Sequence, residues 1–318
     1  AGIEDIIINV NPGETELERQ VGDGGHWGVR IRYFEQPGGP QGIAHVVNEA
    51  RSFIGDDPFM FYLSDNILLG GCAEQVKMFS AGAHDCLLAF AEVPDPERFG
   101  VPVFDGNKKL IDIVEKPAKP QNNLAVTGLY LYGPRLFFEA FQHIEKSARG
   151  EYEISSIHSY LLRNNYRVGY KEITGWWKDT GKPEDLLAAN ALLLQAACKA
   201  RTSLSAIPSD TTVTGNVEIG RGAKIGAGVI LRGPVMIGDE VELEDSEIGP
   251  AVTIGRGSVI HRARIKNSIV LDNVTVKGGL ALADSIIGKS STLRFKDESL
   301  SSARRFIIGD KTLIELVD

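Results

Sequence analysis

Two isolated carboxylates stand where an α/β protein could place a metal or a polar ligand. Asp65 lies two residues past the apolar run Phe59-Met60-Phe61-Tyr62-Leu63, which follows Pro58. A short uninterrupted apolar run suits a strand buried on both faces of a parallel sheet. Ligands in open α/β sheets bind just beyond the carboxyl ends of strands. The plainer alternative is that Ser64-Asp65-Asn66 is an ordinary turn. Asp179 repeats the placement, because it follows Trp176-Trp177-Lys178 and precedes a helix that carries Pro183 in its first turn. Lys116 sits at another strand end, between Glu115 and Pro117.

The elements that must hold these residues follow in order. Ile6–Val10 reads as a buried strand, Glu14–Val21 as a helix stopped by Gly22, and Val29-Ile31-Tyr33 as a half-buried strand. Glu35-Gln36-Pro37-Gly38-Gly39-Pro40-Gln41-Gly42 can only be a loop. Its bare N–H groups before a helix could cradle a phosphate or a base. It lacks both Gly-x-Gly-x-x-Gly and the Walker pattern, so a plain connector fits as well. A helix over Ile43–Phe53 then leads to the Phe59 strand, and these parts are expected to form a βαβ unit with a right-handed crossover. Val76–Phe79 is helical, and Cys86–Val93 is a second buried run. Val101–Phe104 and Leu110–Val114 form a hairpin about Asp105-Gly106-Asn107. Ala125–Tyr132 is a strand; Leu136–Phe141 and Tyr152–Leu162 are helices; Val168–Ile173 is a strand. The last helix runs from Pro183 to about Lys199.

After Arg201 the texture changes. Val213, Ile219, Ile225, Leu231, Ile237 and Leu243 recur at six-residue steps, and the register resumes after one deletion at Ile248, Ile254 and Ile260. Gly220, Gly226, Gly238, Gly249 and Gly255 follow the aliphatic positions. Hexapeptide self-similarity of this kind marks a parallel β-helix, and these residues are core and assembly surface rather than chemistry. Domains are therefore expected at 1–200 and 201–318.

Composition bounds the function. Of 318 residues, 43% are hydrophobic and 24% charged, a globular balance with enough chain for two cores. The net charge of −8 and the lack of a basic run argue against nucleic acid or an anionic membrane surface as partner. An acidic protein handling an anionic substrate needs local help, such as Mg²⁺ or a few placed lysines. Cys72, Cys86 and Cys198 form neither a disulfide framework nor a zinc pattern and read as free thiols in a reducing cytoplasm. No apolar stretch is long enough to span a bilayer.

Taken in order, the motifs resemble those of the sugar-nucleotide nucleotidyltransferases, and within them the long form of glucose-1-phosphate thymidylyltransferase. The matching stretches are Glu35-Gln36-Pro37 with Gly42-Ile43-Ala44-His45, Leu63-Ser64-Asp65-Asn66, Arg98-Phe99-Gly100-Val101, Ile113-Val114-Glu115-Lys116-Pro117, Ala125-Val126-Thr127-Gly128-Leu129-Tyr130, Gly150-Glu151-Tyr152-Glu153-Ile154, and Trp177-Lys178-Asp179-Thr180-Gly181. The closing Arg305–Asp310 resembles the tail of the long form.

The resemblance implies an α/β fold: a Rossmann-like nucleotidyltransferase domain with a mostly parallel sheet, followed by a left-handed parallel β-helix. It implies that Asp65 and Asp179 hold Mg²⁺ and that Lys116 grips the phosphate of the sugar phosphate. Gly100, Glu115 and Val126 would line the sugar site, and Gln36 and Gly42 would read the base. The implied reaction joins glucose 1-phosphate to dTTP, giving dTDP-glucose and pyrophosphate. UTP in place of dTTP, other sugar 1-phosphates, or a non-catalytic subunit that binds a sugar nucleotide are the alternatives. The family's Gly-rich signature loop, with its Arg and the following Lys, is expected to precede Ala1. Self-association into a homo-oligomer through the β-helix is expected, because its coils present flat faces and a chain end.

Overall fold

In the computed structural model, residues 1–36, 39–198, 211–295 and 302–316 are described. Pro37 and Gly38 of the Gly-rich loop, and the expected domain boundary after residue 200, lie outside them. The chain divides into two units, Ala1–Trp177 and Lys178–Asp318.

The first unit opens with β1 (Asp5–Val10), α1 (Glu16–Val21) and β2 (Arg30–Glu35). β1 and β2 pair in parallel as a sheet of their own. Next come α2 (Ile43–Glu49), α3 (Arg51–Ile54), β3 (Phe59–Tyr62), β4 (Asn66–Leu68), α4 (Ala73–Ser80) and β5 (Cys86–Glu92). β6 (Gly100–Phe104), β7 (Leu110–Glu115), β8 (Leu124–Tyr132), α5 (Leu136–Phe141), α6 (Ile154–Arg163) and β9 (Val168–Glu172) complete it. The main sheet has the order β7-β6-β8-β5-β9, with β3 also paired to β8.

Strand directions in this sheet are mixed. β9 runs parallel to β5, while β8 runs antiparallel to β3, β5 and β6. β3 departs from the expectation drawn from its apolar run. It is antiparallel to its one described partner, and its residues are half-buried or exposed. The expected crossover from β2 to β3 is likewise replaced, because β2 pairs with β1 and the parallel unit closes on β1–α1–β2. β5 and β8 are buried on both faces, and the β5 residues from Cys86 to Phe90 are fully inaccessible. Side chains alternate across a strand. Cys86, Leu88 and Phe90 therefore join Tyr130, Tyr132, Phe137, Phe138, Ile157 and Leu161 on one face. Leu87 and Ala89 join Leu129 and Leu131 on the other, against Val76 and Phe79 of α4. Burying each large apolar side chain contributes about 1.5–3 kcal/mol, so this two-sided core holds β8 and its neighbours rigid.

The second unit starts at Lys178. β10 (Trp177–Asp179) crosses into it, and α7 (Pro183–Ala197) packs against the strands at Val252–Ile254 and Ser268–Val270. Asn190 of α7 accepts a hydrogen bond from the Thr253 hydroxyl at 2.6 Å. The β-helix begins with β11 (Thr212–Thr214), β12 (Val217–Ile219) and β13 (Lys224–Ile225), which start three stacks of parallel strands. The six-residue step sends one aliphatic to each stack in turn. Val213 lies under Leu231, Ile248 and Ile265. Ile219 lies under Ile237, Ile254, Val270, Ile287 and Ile308. Ile225 lies under Leu243, Ile260, Val276, Leu293 and Ile314.

The glycines mark coil corners with no room for a side chain. A Cβ on Gly220 would come within 2.4 Å of the Asp239 nitrogen, and one on Gly255 within 2.5 Å of the Asp272 carboxylate. Those carboxylates accept the Arg221 and Arg256 N–H groups of the coil below, at 2.7 and 2.9 Å. No described helix is long and apolar enough to cross a membrane.

Candidate active site

Asp65 is exposed in the turn between β3 and β4. Its Oδ1 accepts a hydrogen bond of 2.8 Å from Nδ2 of Asn66, the buried first residue of β4. The Asn66 amide oxygen accepts in turn from the Trp177 indole Nε1–H at 2.7 Å and from the Gly128 N–H of β8 at 3.2 Å. The Leu63 N–H donates to the Gly128 carbonyl at 2.8 Å, and the Tyr62 hydroxyl to the Asn66 carbonyl at 2.6 Å. The turn carrying Asp65 is thus stitched to the middle of the sheet.

Three of the residues implied by the resemblance meet at one register position of the sheet, and Lys116 follows directly after it. Gly100 of β6 pairs with Glu115 of β7 on one side and with Val126 of β8 on the other. A Cβ on Gly100 would sit 3.3 Å from Ile113 Cγ2, 3.5 Å from Glu115 Oε2 and 3.7 Å from Val126 Cβ, so a side chain there would fill the space between these residues. Burial pushes the Glu115 carboxyl above the usual carboxylate range. The Ser155 hydroxyl bonded to it and the charges of Lys116 and Arg149 oppose that rise, while Glu153 adds to it. Glu153 itself is held by Arg149 through both its oxygens at 2.9 Å, and by the Ser147 hydroxyl at 2.7 Å. A cavity of about 600 Å³ opens beside Glu115 and Glu153, lined among others by Ser147, Ser155 and Ser159; Gly100, Lys116 and Val126 do not line it.

Lys116 directly follows β7 and lies in the left-handed region, with φ +44°. Its N–H donates to the Phe99 carbonyl at 2.9 Å, and its side chain is exposed. A non-glycine residue there is strained, the more so before proline. Such strain persists where the surroundings impose it, and it concentrates at functional sites. Phe99 turns its ring edge-on to Trp177, with centroids 5.5 Å apart.

The loop residues are also held. Gln36 is buried, and its Nε2 donates to His45 Nδ1 of α2 at 3.0 Å, which leaves the ring proton on Nε2 facing Glu49. Gly42 precedes α2 with φ +100°, and a Cβ on it would meet the Tyr152 carbonyl oxygen at 2.6 Å. The Tyr152 N–H donates to Gln41 and its carbonyl accepts from Ala44, so the loop end is clipped to the segment before α6.

Asp179 belongs to the second unit. Its Oδ1 accepts the Gly181 N–H at 2.9 Å, and the next turn starts α7. Beside it in sequence, Lys178 forms an ion pair of 2.7 Å with Asp185, a buried residue in the first turn of α7. Among the described residues, no three His, Cys, Asp or Glu side chains gather to hold a metal by themselves. Asn66, Ser155 and the Arg149–Glu153 pair join the site only in the structure. All three fall inside quoted motifs or beside them, but residue type alone reads as turn or helix start.

Comparison with known proteins identifies the family to which this arrangement belongs. The profile of the nucleotidyl transferase family matches residues 1–196, and the chain belongs to that family. The profile of the GMPPB C-terminal domain matches residues 231–310.

Among curated relatives, the low-salt glycan biosynthesis nucleotidyltransferase Agl11 of Haloferax volcanii is 36% identical over 318 residues, covering 99% of this chain and 88% of the relative. A glucose-1-phosphate thymidylyltransferase of Streptomyces antibioticus is 34% identical over 317 residues, covering 99% and 87%. A solved structure from Bacillus anthracis, described as a glucose-1-phosphate thymidylyltransferase in complex with sucrose, superposes with a TM-score of 0.54 at 34% identity, over 58% of this chain and 74% of that one. The protein is therefore a nucleotidyltransferase resembling the glucose-1-phosphate thymidylyltransferases along nearly its whole length.

Proposed function

We propose that the protein transfers a thymidylyl group from dTTP to glucose 1-phosphate, with Mg²⁺ as cofactor. The carrying observation is the junction of Gly100, Glu115 and Val126 at one register position with strained Lys116 next to it. The likeness to thymidylyltransferases over nearly the whole chain supports the choice of nucleotide and sugar.

A phosphate oxygen of glucose 1-phosphate attacks the α-phosphorus of dTTP. The new P–O bond forms as the bond to the β-phosphate oxygen breaks, and pyrophosphate leaves. The nucleophile is supplied by the substrate, so no serine or cysteine need act. Both reactants are anions, and the barrier is largely charge repulsion and alignment. Lys116 sets an ammonium group against the sugar phosphate. Gly100 leaves room for the sugar ring, and Glu115 accepts hydrogen bonds from its hydroxyls. Gln36 and the backbone of Gly42 face the edge of the base.

Asp65 and Asp179 are the carboxylates assigned to the metal. Two hard oxygen donors fit Mg²⁺, which takes one or two carboxylates and completes its shell with phosphate oxygens and water. The oriented carboxylate of Asp65 is such a donor. When bound, Mg²⁺ would neutralise triphosphate charge.

Pyrophosphate release by the purified protein from dTTP and glucose 1-phosphate, with UTP as competitor, tests the proposal. Asp179→Asn should abolish turnover without changing the circular dichroism spectrum. No release with any nucleotide and sugar phosphate pair would refute the function, and full activity in Asp179→Asn would refute the role of that residue.

A further inference from the structure

We infer that Asn66 is the positioning residue of the site, fixing the Asp65 carboxylate and the Trp177 indole through one side-chain amide. The inference rests on the reading that Asp65 is a metal ligand. Asn66 is only 7% exposed. Its two amide ends do different work. Nδ2 donates to Asp65 Oδ1 at 2.8 Å, and Oδ1 accepts from both Trp177 Nε1 and the Gly128 N–H. The Trp177 and Gly128 donors decide which end of the amide is oxygen, so the end facing Asp65 must be the donor. The carboxylate is therefore held by a group that can only donate to it.

Few other residues could do this. Aspartate would set a second carboxylate against Asp65, and leucine would take the acceptor from the buried Gly128 N–H and the half-buried Trp177 indole N–H. Gly128 completes the fit: a Cβ there would come within 2.8 Å of the Asn66 amide and 2.7 Å of Leu63 Cβ. The amide lies against bare backbone, in space that a side chain at residue 128 would occupy. One buried side chain thus joins β8, the exposed acid and Trp177, and the orientation of Asp65 is set before any ligand arrives.

The test is Mn²⁺ binding in the presence of dTTP and without sugar phosphate, followed by electron paramagnetic resonance. The variants are Asp65→Asn, Asn66→Leu, Trp177→Phe and the Asp65→Asn/Asn66→Leu double variant. Asn66→Leu is expected to weaken Mn²⁺ binding about tenfold or more. Trp177→Phe, which keeps an aromatic ring beside Phe99 but removes the N–H donor together with part of the indole, should weaken it several-fold. In the Asp65→Asn background, Asn66→Leu should add no further loss, because the effect of the amide on the metal passes through that carboxylate; a merely structural residue would weaken binding again. If Asp65→Asn weakens Mn²⁺ binding but Asn66→Leu does not, the inference is overturned while the metal reading stands. If Asn66→Leu fails to fold, Trp177→Phe decides, and unchanged binding overturns the inference. If Asp65→Asn leaves Mn²⁺ binding unchanged, the metal reading fails and the inference falls with it.

Discussion

Lowering the pH from 8 to 5 should destabilise the first unit through one residue, His158. Its ring is fully buried on α6, with Nε2 at 2.7 Å from the Tyr132 hydroxyl and Nδ1 without a hydrogen-bond partner. Burial pulls its pKa down to about 3, against about 6.5 in an unfolded chain. The folded state therefore keeps the ring neutral while the unfolded state takes up a proton below pH 6.5. Stability is complete above that value and is lost as the pH falls toward 3. Integrating the proton difference between pH 8 and 5 gives a loss of about 2 kcal/mol. Glu115 acts in the opposite sense: its raised pKa favours the folded state as the pH falls. The comparison must therefore be made against a variant. His158→Phe keeps a ring in the core and removes the titration. All three tryptophans, Trp27, Trp176 and Trp177, lie in the first unit, so their fluorescence in a urea titration reports this unit alone. The wild type should lose about 2 kcal/mol more than the variant between the two pH values. Equal losses would show that the ring is not held neutral by its burial.

Two further outcomes follow from local geometry. Lys116→Gly relieves a left-handed φ of +44°, so it should raise stability by up to about 1 kcal/mol while lowering turnover on the order of a hundredfold; a loss of stability, read by the same urea titration, would show that the lysine serves the fold. In the β-helix, the buried Ser268 hydroxyl donates to the Lys266 carbonyl at 2.7 Å and accepts the Ser285 N–H at 3.1 Å. Ser268→Ala leaves both groups unpaired and should cost about 1–3 kcal/mol in the calorimetric unfolding of the second unit; an unchanged transition would refute the role of these corner serines.

The β-helix was legible in the sequence because its contacts are nearest-neighbour and periodic. Val213, Ile219 and Ile225 each begin a stack whose next members stand one coil further along the chain. The corner glycines are dictated by the same repeat, since each coil must pass close over the last. Strand positions in the first unit were legible too, because buried runs such as Cys86–Glu92 and the hairpin of β6 and β7 carry local signals.

Strand partners were not legible. The apolar run of β3 does not say that it pairs antiparallel with β8, since apolar content reports burial and not direction. Nor does the sequence disclose that Asn66, ordinary turn chemistry by type, reaches Gly128 and Trp177, which stand 62 and 111 residues away. Residue type and spacing determined which groups could do chemistry. Only long-range packing, which local pattern does not encode, decided which of them are buried, which are strained, and which hydrogen-bond partner fixes each in place.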